Sequence, residues 1–136
     1  MRQNSVLAYL AVFLGGAVGS TLRHTVNQVA AAILGINFPW GTLAVNISGS
    51  VAIGMIAGWF AYHGESSQIF RLFLTTGIVG GFTTFSAFTL ETALFFDRGQ
   101  YPTALLYSLG SVILGVAGVF AGQFAVAGSK PPTCKE

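Results

Sequence analysis

The sequence predicts an all-α integral membrane protein with four transmembrane helices. Of its 136 residues, 53% are hydrophobic and only 7% are charged, whereas soluble domains carry about 25% charged residues. The mean hydropathy is +0.71. Four apolar segments each reach the length of about 20 residues that a membrane-crossing helix needs. The connections between them are short, so no stretch remains for a soluble domain.

The four predicted spans follow one another along the chain. In order they cover residues 5–34, 40–62, 69–96 and 102–127. Pro102 suits the first turn of the fourth helix, where its missing N–H has no helical partner to lose. The apolar run near the N-terminus is longer than the hydrophobic region of a signal peptide, so we interpret it as a span. We expect one transmembrane domain over residues 1–128 and a disordered polar tail over residues 129–136.

The third span contains an unusual stretch, TGIVGGFTTFSAF, at residues 76–88. Each of its glycines costs a helix interior about 1 kcal/mol relative to alanine, and Thr83 and Thr84 add β-branched crowding. In lipid, a loosened backbone is tolerated only where protein or a water-filled cavity takes up its freed polar groups. We therefore expect the third helix to be broken at mid-membrane beside an ion or substrate site.

Phe85 and Phe88 lie one turn apart directly after the expected break. Phenylalanines in a membrane helix usually face lipid or fill a core, which is the simpler interpretation. The position next to a broken backbone favours a second one. Because aromatic rings have positive edges, two rings that face a pore can coordinate a small anion without binding it too tightly.

Few polar side chains fall inside the spans, and each one there calls for a hypothesis. Arg23, His24 and Glu91 are the ionisable ones. Arg23 and Glu91 can pair, reach an interface, or shape the electrostatics of a vestibule in which Arg23 concentrates anions. His24 is interpreted as a packing residue. Asn46 must find partners, either as a clamp between helices or at a site, and both interpretations stay open.

Small residues recur four apart in three spans, a pattern typical of closely packed membrane helices. They are Gly15 and Gly19, then Ser50, Gly54 and Gly58, then Gly118 and Gly122. Four short helices do not easily surround a pore unaided, and the sequence shows no internal repeat, so we expect a homo-oligomer. Positive charges favour cytoplasmic termini only weakly, a bias that permits insertion in both orientations.

Several function classes are excluded. The sequence has no phosphate-binding loop with a lysine, no paired carboxylates, no histidine cluster and no Ser-His-Asp set, so we do not expect an enzyme. The single cysteine, Cys134, excludes a disulfide framework or a cysteine metal site. A net charge of +2 is too small to indicate nucleic-acid binding.

Three motifs together resemble the Fluc (CrcB-type) fluoride channels. They are GGAVGSTLR at residues 15–23, GTLAVN at 41–46 and GGFTTFSAF at 80–88. The resemblance extends over all four spans. It implies a fluoride-selective passive channel that exports cytoplasmic fluoride through the inner membrane. It also implies that two copies associate in opposite orientations, as an antiparallel dual-topology homodimer with two pores along its interface.

The resemblance also implies roles for individual residues. Fluoride pore residues would be Asn46, Thr84, Phe85, Phe88, Tyr107 and Ser111. The backbone carbonyls of Gly80 and Thr83, from both subunits, would hold a structural sodium ion, and Arg23 would belong to a vestibule. Glu91 matches an acidic position without an assigned role. Ala87 departs from the family, which more often has threonine or serine there.

Two other functions stay open. A proton-coupled anion transporter needs a protonatable group in the pathway, for which Glu91 and His24 are the candidates inside the spans. A membrane scaffold that transports nothing would account for the glycine stripes, but not for Asn46 or the broken helix.

Overall fold

A computed structural model describes residues 2–63 and 67–128. Within these ranges the chain forms helices joined by short connections, and no strand is present. The helices are α1 (Arg2–Leu34), α2 (Trp40–His63), α3 (Gln68–Leu72), a π-helix (Phe73–Val79), α4 (Gly80–Phe82), α5 (Phe85–Asp97) and α6 (Tyr101–Ala127). The predicted polar tail, with Cys134, lies outside the described residues.

Four stretches of this part of the chain are long and apolar enough to cross a membrane. They are Ser5–Leu34, Trp40–Tyr62, Gln68–Asp97 and Tyr101–Val126. These stretches agree with the predicted spans to within one residue at each end, so the prediction of four spans is confirmed. Glycines with positive φ follow three of the helices: Gly35 (φ 81°) after α1, Gly99 (φ 70°) after α5 and Gly128 (φ 58°) after α6. Side chains other than glycine rarely adopt this conformation.

The third span changes its backbone geometry four times. A short α-helix passes into the seven-residue π-helix and then into α4. Thr83 (φ −80°, ψ 160°) and Thr84 (φ −151°, ψ 119°) are extended, and α5 begins at Phe85. The glycines of this stretch all remain helical, so the extended residues are the two threonines. Thr84 then caps α5, because its hydroxyl oxygen accepts a hydrogen bond from the Ala87 N–H (3.3 Å).

The small-residue stripes bring helices of the same chain together. A Cβ atom at Gly19 would meet the Ile78 carbonyl oxygen, and one at Gly15 would lie 2.6 Å from the Phe73 carbonyl oxygen. The second and fourth spans meet in the same way, since a Cβ at Gly54 would meet the Val119 carbonyl and one at Gly122 the Val51 carbonyl. These glycines therefore serve packing within one chain, α1 against the third span and α2 against α6.

A small cluster of buried side chains lies between α5 and α6. It consists of Phe88, Phe95, Ala104 and Tyr107, with Phe38 and Leu43 packed against it. Many large apolar side chains elsewhere are exposed, as expected of helices whose outer faces meet lipid or a partner. The cluster therefore packs α5, from Phe88 to Phe95, against the first turns of α6.

A candidate ion-binding groove along the third span

A groove of about 520 Å³ runs beside the extended threonines, between the third span and helices α2 and α6. It brings together seven of the nine residues that the sequence predicts for the site. They are Asn46, Gly80, Thr83, Thr84, Phe85, Phe88 and Ser111. The other two, Arg23 and Tyr107, do not line this groove. The set comes from three separate spans, so the fold assembles it from distant parts of the chain.

Asn46 pairs with the backbone of Thr84 through both ends of its amide. Its Nδ2 donates to the Thr84 carbonyl oxygen (2.9 Å), and its Oδ1 accepts from the Thr84 N–H (2.8 Å). The side chain thereby supplies the two hydrogen bonds that a neighbouring strand would supply to an extended residue. Of the two interpretations of Asn46, the interhelical clamp is thus observed. One of its two amide N–H groups is left to donate elsewhere.

The clamp changes the bonding of the carbonyls before it. In an uninterrupted helix the Thr84 N–H would donate to the Gly80 carbonyl, but here it donates to Asn46. The Thr83 carbonyl oxygen accepts a hydrogen bond from Arg23 Nη1 (3.2 Å). The half-buried Arg23 therefore braces the extended segment from α1. Arg23 and Glu91, whose pairing was one interpretation, have different partners.

Two phenylalanine rings line the groove at different depths. Phe85 is 75% exposed, whereas Phe88 is 8% exposed. Their ring centroids are 5.6 Å apart, with an interplanar angle of 46°. The row of rings continues from Phe88 to Tyr107 at 5.4 Å, and from Tyr107 to Phe38 at 5.4 Å in an edge-on arrangement. Aromatic surface therefore extends from the open groove into the core.

Tyr107 and Ser111 lie one turn apart on α6 but have different surroundings. Tyr107 is 2% exposed, and its hydroxyl donates to Glu91 Oε2 (2.7 Å). The Ser111 hydroxyl oxygen is buried and has no hydrogen-bond partner. Because a buried polar atom without a partner costs free energy, Ser111 is the group in the groove that most needs a ligand or water.

The second oxygen of Glu91 is bonded as well. Thr42 Oγ1 donates to Glu91 Oε1 (2.7 Å), and Thr42 itself is buried. Thr42 belongs to the GTLAVN motif, but the sequence predicted no role for it. The sequence did contain an indication that Thr42 faces the site, because Thr42 and Asn46 are four residues apart and so share one face of α2. The partner Glu91, in contrast, lies 49 positions away in the sequence.

A second cavity, of about 340 Å³, lies at the end of the molecule where α1 connects to α2. Phe38, Thr42, Glu91 and Arg98 are among its lining residues, and none of its lining residues also lines the groove. His24 is exposed and lines neither. Within residues 2–63 and 67–128, no group of three or more His, Cys, Asp or Glu side chains is placed to hold a metal ion.

Known proteins similar to this chain match along most of its length. A family model described as CrcB-like protein, Camphor Resistance (CrcB), matches residues 10–123. The chain is 54% identical over 114 residues to fluoride-specific ion channel FluC 2 of Nitrobacter hamburgensis, covering 84% of this chain and 92% of the relative.

Two further relatives are similar to the same extent. Fluoride-specific ion channel FluC of Rhodopseudomonas palustris (strain BisB5) is 55% identical over 116 residues, covering 85% of this chain and 94% of the relative. Fluoride-specific ion channel FluC of Methylobacterium nodulans is 56% identical over 116 residues, covering 85% and 93%. The matched residues reach from the first to the last of the four spans.

Proposed function

This chain belongs to the CrcB-like family, a family of fluoride ion channels and not of enzymes, and from that membership we propose that it is a passive channel through which fluoride leaves the cytoplasm. One observation carries the proposal: the buried, unpartnered Ser111 hydroxyl lies in the same groove as the rings of Phe85 and Phe88. Fluoride enters acidified cells as neutral HF, ionises inside, and stays trapped unless an anion has a path across the membrane. A fluoride channel in the inner membrane would relieve this toxicity.

The groove offers two kinds of group that suit a small anion. Ser111 and the remaining N–H of Asn46 are neutral hydrogen-bond donors, and the edges of Phe85 and Phe88 carry partial positive charge. Conduction requires sites that bind an ion well enough to admit it and weakly enough to release it. Neutral donors and ring edges meet that requirement better than a fixed positive charge inside the path. Thr84, whose hydroxyl caps α5, contributes mainly by holding the segment in place.

The functional unit, in our proposal, is a pair of chains in opposite orientations. The groove is open along one side in a single chain, and Phe85 on its edge is largely exposed. A second copy packed on this side would cover Phe85 and close the groove into a pore. The third span, interrupted at Thr83 and Thr84, would then lie at mid-membrane, and symmetry would give two such pores.

A structural sodium ion between the two copies is part of the proposal. The Gly80 carbonyl fits this role, because the Thr84 N–H that would bond it in a continuous helix is taken by Asn46. The Thr83 carbonyl has two lone pairs, of which Arg23 uses one. Carbonyl oxygens of an unwound segment are typical sodium ligands in membrane proteins. When bound, the ion would supply positive charge that holds the facing carbonyls of two subunits together.

Removal of sodium tests that part separately. We expect the purified protein to unfold at a lower temperature when sodium is replaced by N-methylglucamine, because ligand binding stabilises the native state. An unfolding temperature that is the same in sodium and in N-methylglucamine, at every concentration up to 100 mM, would contradict a sodium site.

Ion flux from liposomes that contain the purified protein tests the function itself. With potassium inside and valinomycin present, we expect rapid fluoride release that follows the potassium gradient, while chloride is retained. Release that requires a proton gradient and stops in a Glu91→Gln variant would instead indicate the proton-coupled transporter. No release from well-folded protein would indicate a scaffold.

A further inference from the structure

Gly49 is the point at which α2 contacts the first of the two extended threonines. It follows Asn46 by three residues, so both lie on one face of α2. Asn46 bonds the backbone of Thr84, whereas the buried Gly49 lies against the side chain of Thr83. A Cβ atom at Gly49 would meet the Thr83 Cγ2 methyl group and lie 3.4 Å from Phe82 Cδ1. The absence of a side chain at position 49 therefore leaves the space that the Thr83 methyl group fills.

Both branches of the Thr83 side chain have partners, so its orientation is defined. The hydroxyl donates to the Val79 carbonyl oxygen (3.1 Å), which also accepts from the Thr83 N–H (3.0 Å). The methyl group points at Gly49. Because a β-branched side chain has only a few staggered χ1 positions, a rotation that moves the methyl group off α2 also takes the hydroxyl off Val79. A side chain at position 49 would thus turn Thr83 or displace its backbone.

The backbone that would move carries the Thr83 carbonyl. Arg23 of α1 donates to that oxygen (3.2 Å), and the second lone pair is the one that the proposed sodium ion would use. The contact with α1 and the contact with α2 meet at this one residue and together set the direction of its carbonyl. The groups of a binding site must be held to within about 0.5 Å, and in a symmetric pair of chains the same error would occur twice.

We propose that Gly49 is a positioning residue for the sodium site: its missing side chain seats the Thr83 methyl group and so directs the Thr83 carbonyl towards the second copy. This inference rests on the proposed function, because sodium binding between two copies is part of that function. It predicts that a methyl group added at position 49 weakens sodium binding, and that removal of the Thr83 methyl group abolishes this effect.

A double-mutant cycle tests the proposal. The variants are Gly49→Ala, Thr83→Ser, which lacks Cγ2 but keeps the hydroxyl, and the two combined. Gly58→Ala is the control on the same helix, because a Cβ atom there would be no closer than 3.4 Å to its neighbours. The measurement is the unfolding temperature of each purified variant as sodium replaces N-methylglucamine at constant total salt. Its dependence on sodium concentration gives an apparent dissociation constant.

We expect G49A to raise the apparent dissociation constant for sodium at least fivefold, and G58A to change it less than twofold. In the T83S background we expect G49A to change it less than twofold, because the atom that the new methyl group would strike is gone. A glycine needed only for packing would instead lower the unfolding temperature equally in both cations and leave the dissociation constant unchanged. That result would overturn the proposal.

Three further results would also overturn it: an increase below fivefold in G49A, an increase above twofold when G49A is added to T83S, or an increase above twofold in G58A. If G49A alone does not fold, the double variant decides. Folded double variant that binds sodium within twofold of T83S supports the proposal, and failure to fold or weaker binding overturns it. Failure of the proposed sodium site is distinguishable, since the unmodified chain itself would then unfold at the same temperature in both cations.

Discussion

Asn46 shows how one side chain can stabilise an interruption in a membrane helix. Its amide bonds both backbone groups of Thr84, which otherwise would face a low-dielectric interior without partners. Arg23 satisfies the carbonyl of the preceding residue. Two side chains from two other spans thus hold an extended dipeptide, and Phe85 starts the next helix with its ring in the groove. Fluoride coordination, as proposed, depends on this backbone geometry.

The stability of the clamp is measurable. Asn46→Ala leaves the Thr84 N–H and carbonyl unpaired, and each such group costs roughly 1–3 kcal/mol. We expect N46A to unfold at a clearly lower temperature in detergent and to lose fluoride flux. Asn37→Ala, in the exposed connection after α1, is the matched control and should behave as the unmodified chain. Equal stability of the two variants would show that the clamp contributes little.

Residue identity predicted the polar positions of the site but not their partners. Asn46 stood out in the sequence because an amide inside a span must be bonded, and the clamp is such a bond. Thr42 did not stand out, since a threonine in a helix bonds its own backbone easily and its acceptor lies in another span. The sequence places Tyr107 on the same helix face as Ser111, but only the structure shows that the Tyr107 hydroxyl donates to Glu91.

The irregular third span depends on how closely α1 approaches it. Gly15 and Gly19 leave room for the backbone of the π-helix, where Phe73 and Ile78 carbonyls face α1. The four-residue spacing of these glycines predicted a close contact, and the structure identifies the contact as internal. The sequence predicted irregularity near residues 76–88, but not that the glycines stay helical and the threonines extend, because that depends on the bonds from α1 and α2.

Two neighbouring glycines provide a matched pair for this contact. A Cβ at Gly19 would meet the Ile78 carbonyl and lie 2.8 Å from the Phe82 backbone nitrogen, whereas a Cβ at Gly16 would have nothing within 4 Å. We expect Gly19→Ala to displace the third span, lowering both the unfolding temperature and fluoride flux. Gly16→Ala should be neutral or slightly stabilising, since alanine favours a helix by up to about 1 kcal/mol. The reverse order of effects would contradict this packing.

A single chain presents half of the proposed pore. Four spans place both termini on one side of the membrane, and few charges distinguish that side from the other. In the predicted topology Arg2, Arg71, Lys130 and Lys135 would fall on the side of the termini, against Arg98 on the other. The positive-inside rule therefore gives only a weak preference for one orientation, which is consistent with a chain that inserts in both orientations. The sequence alone could not place the open groove that the second copy would cover.

The single cysteine reports orientation directly. Cys134 lies near the C-terminus, so a membrane-impermeant thiol reagent added to intact spheroplasts reaches it only in chains whose C-terminus is outside. For dual topology we expect about half of the chains to be labelled in intact spheroplasts and the remainder to be labelled only after lysis. The Cys134→Ser variant is the control for labelling at other sites. Labelling of nearly all or nearly none would contradict the antiparallel pair.

Two buried rings on α5 test most directly whether fluoride passes along the groove, as proposed. Phe88 and Phe95 are 8% and 4% exposed, and both contact Tyr107, but only Phe88 lines the groove. The measurement is fluoride efflux from liposomes, with a chloride control, for Phe88→Ile and Phe95→Ile. We predict at least a tenfold loss in F88I and a change within threefold in F95I, with both variants folded. Equal flux in the two would contradict a fluoride path along this groove.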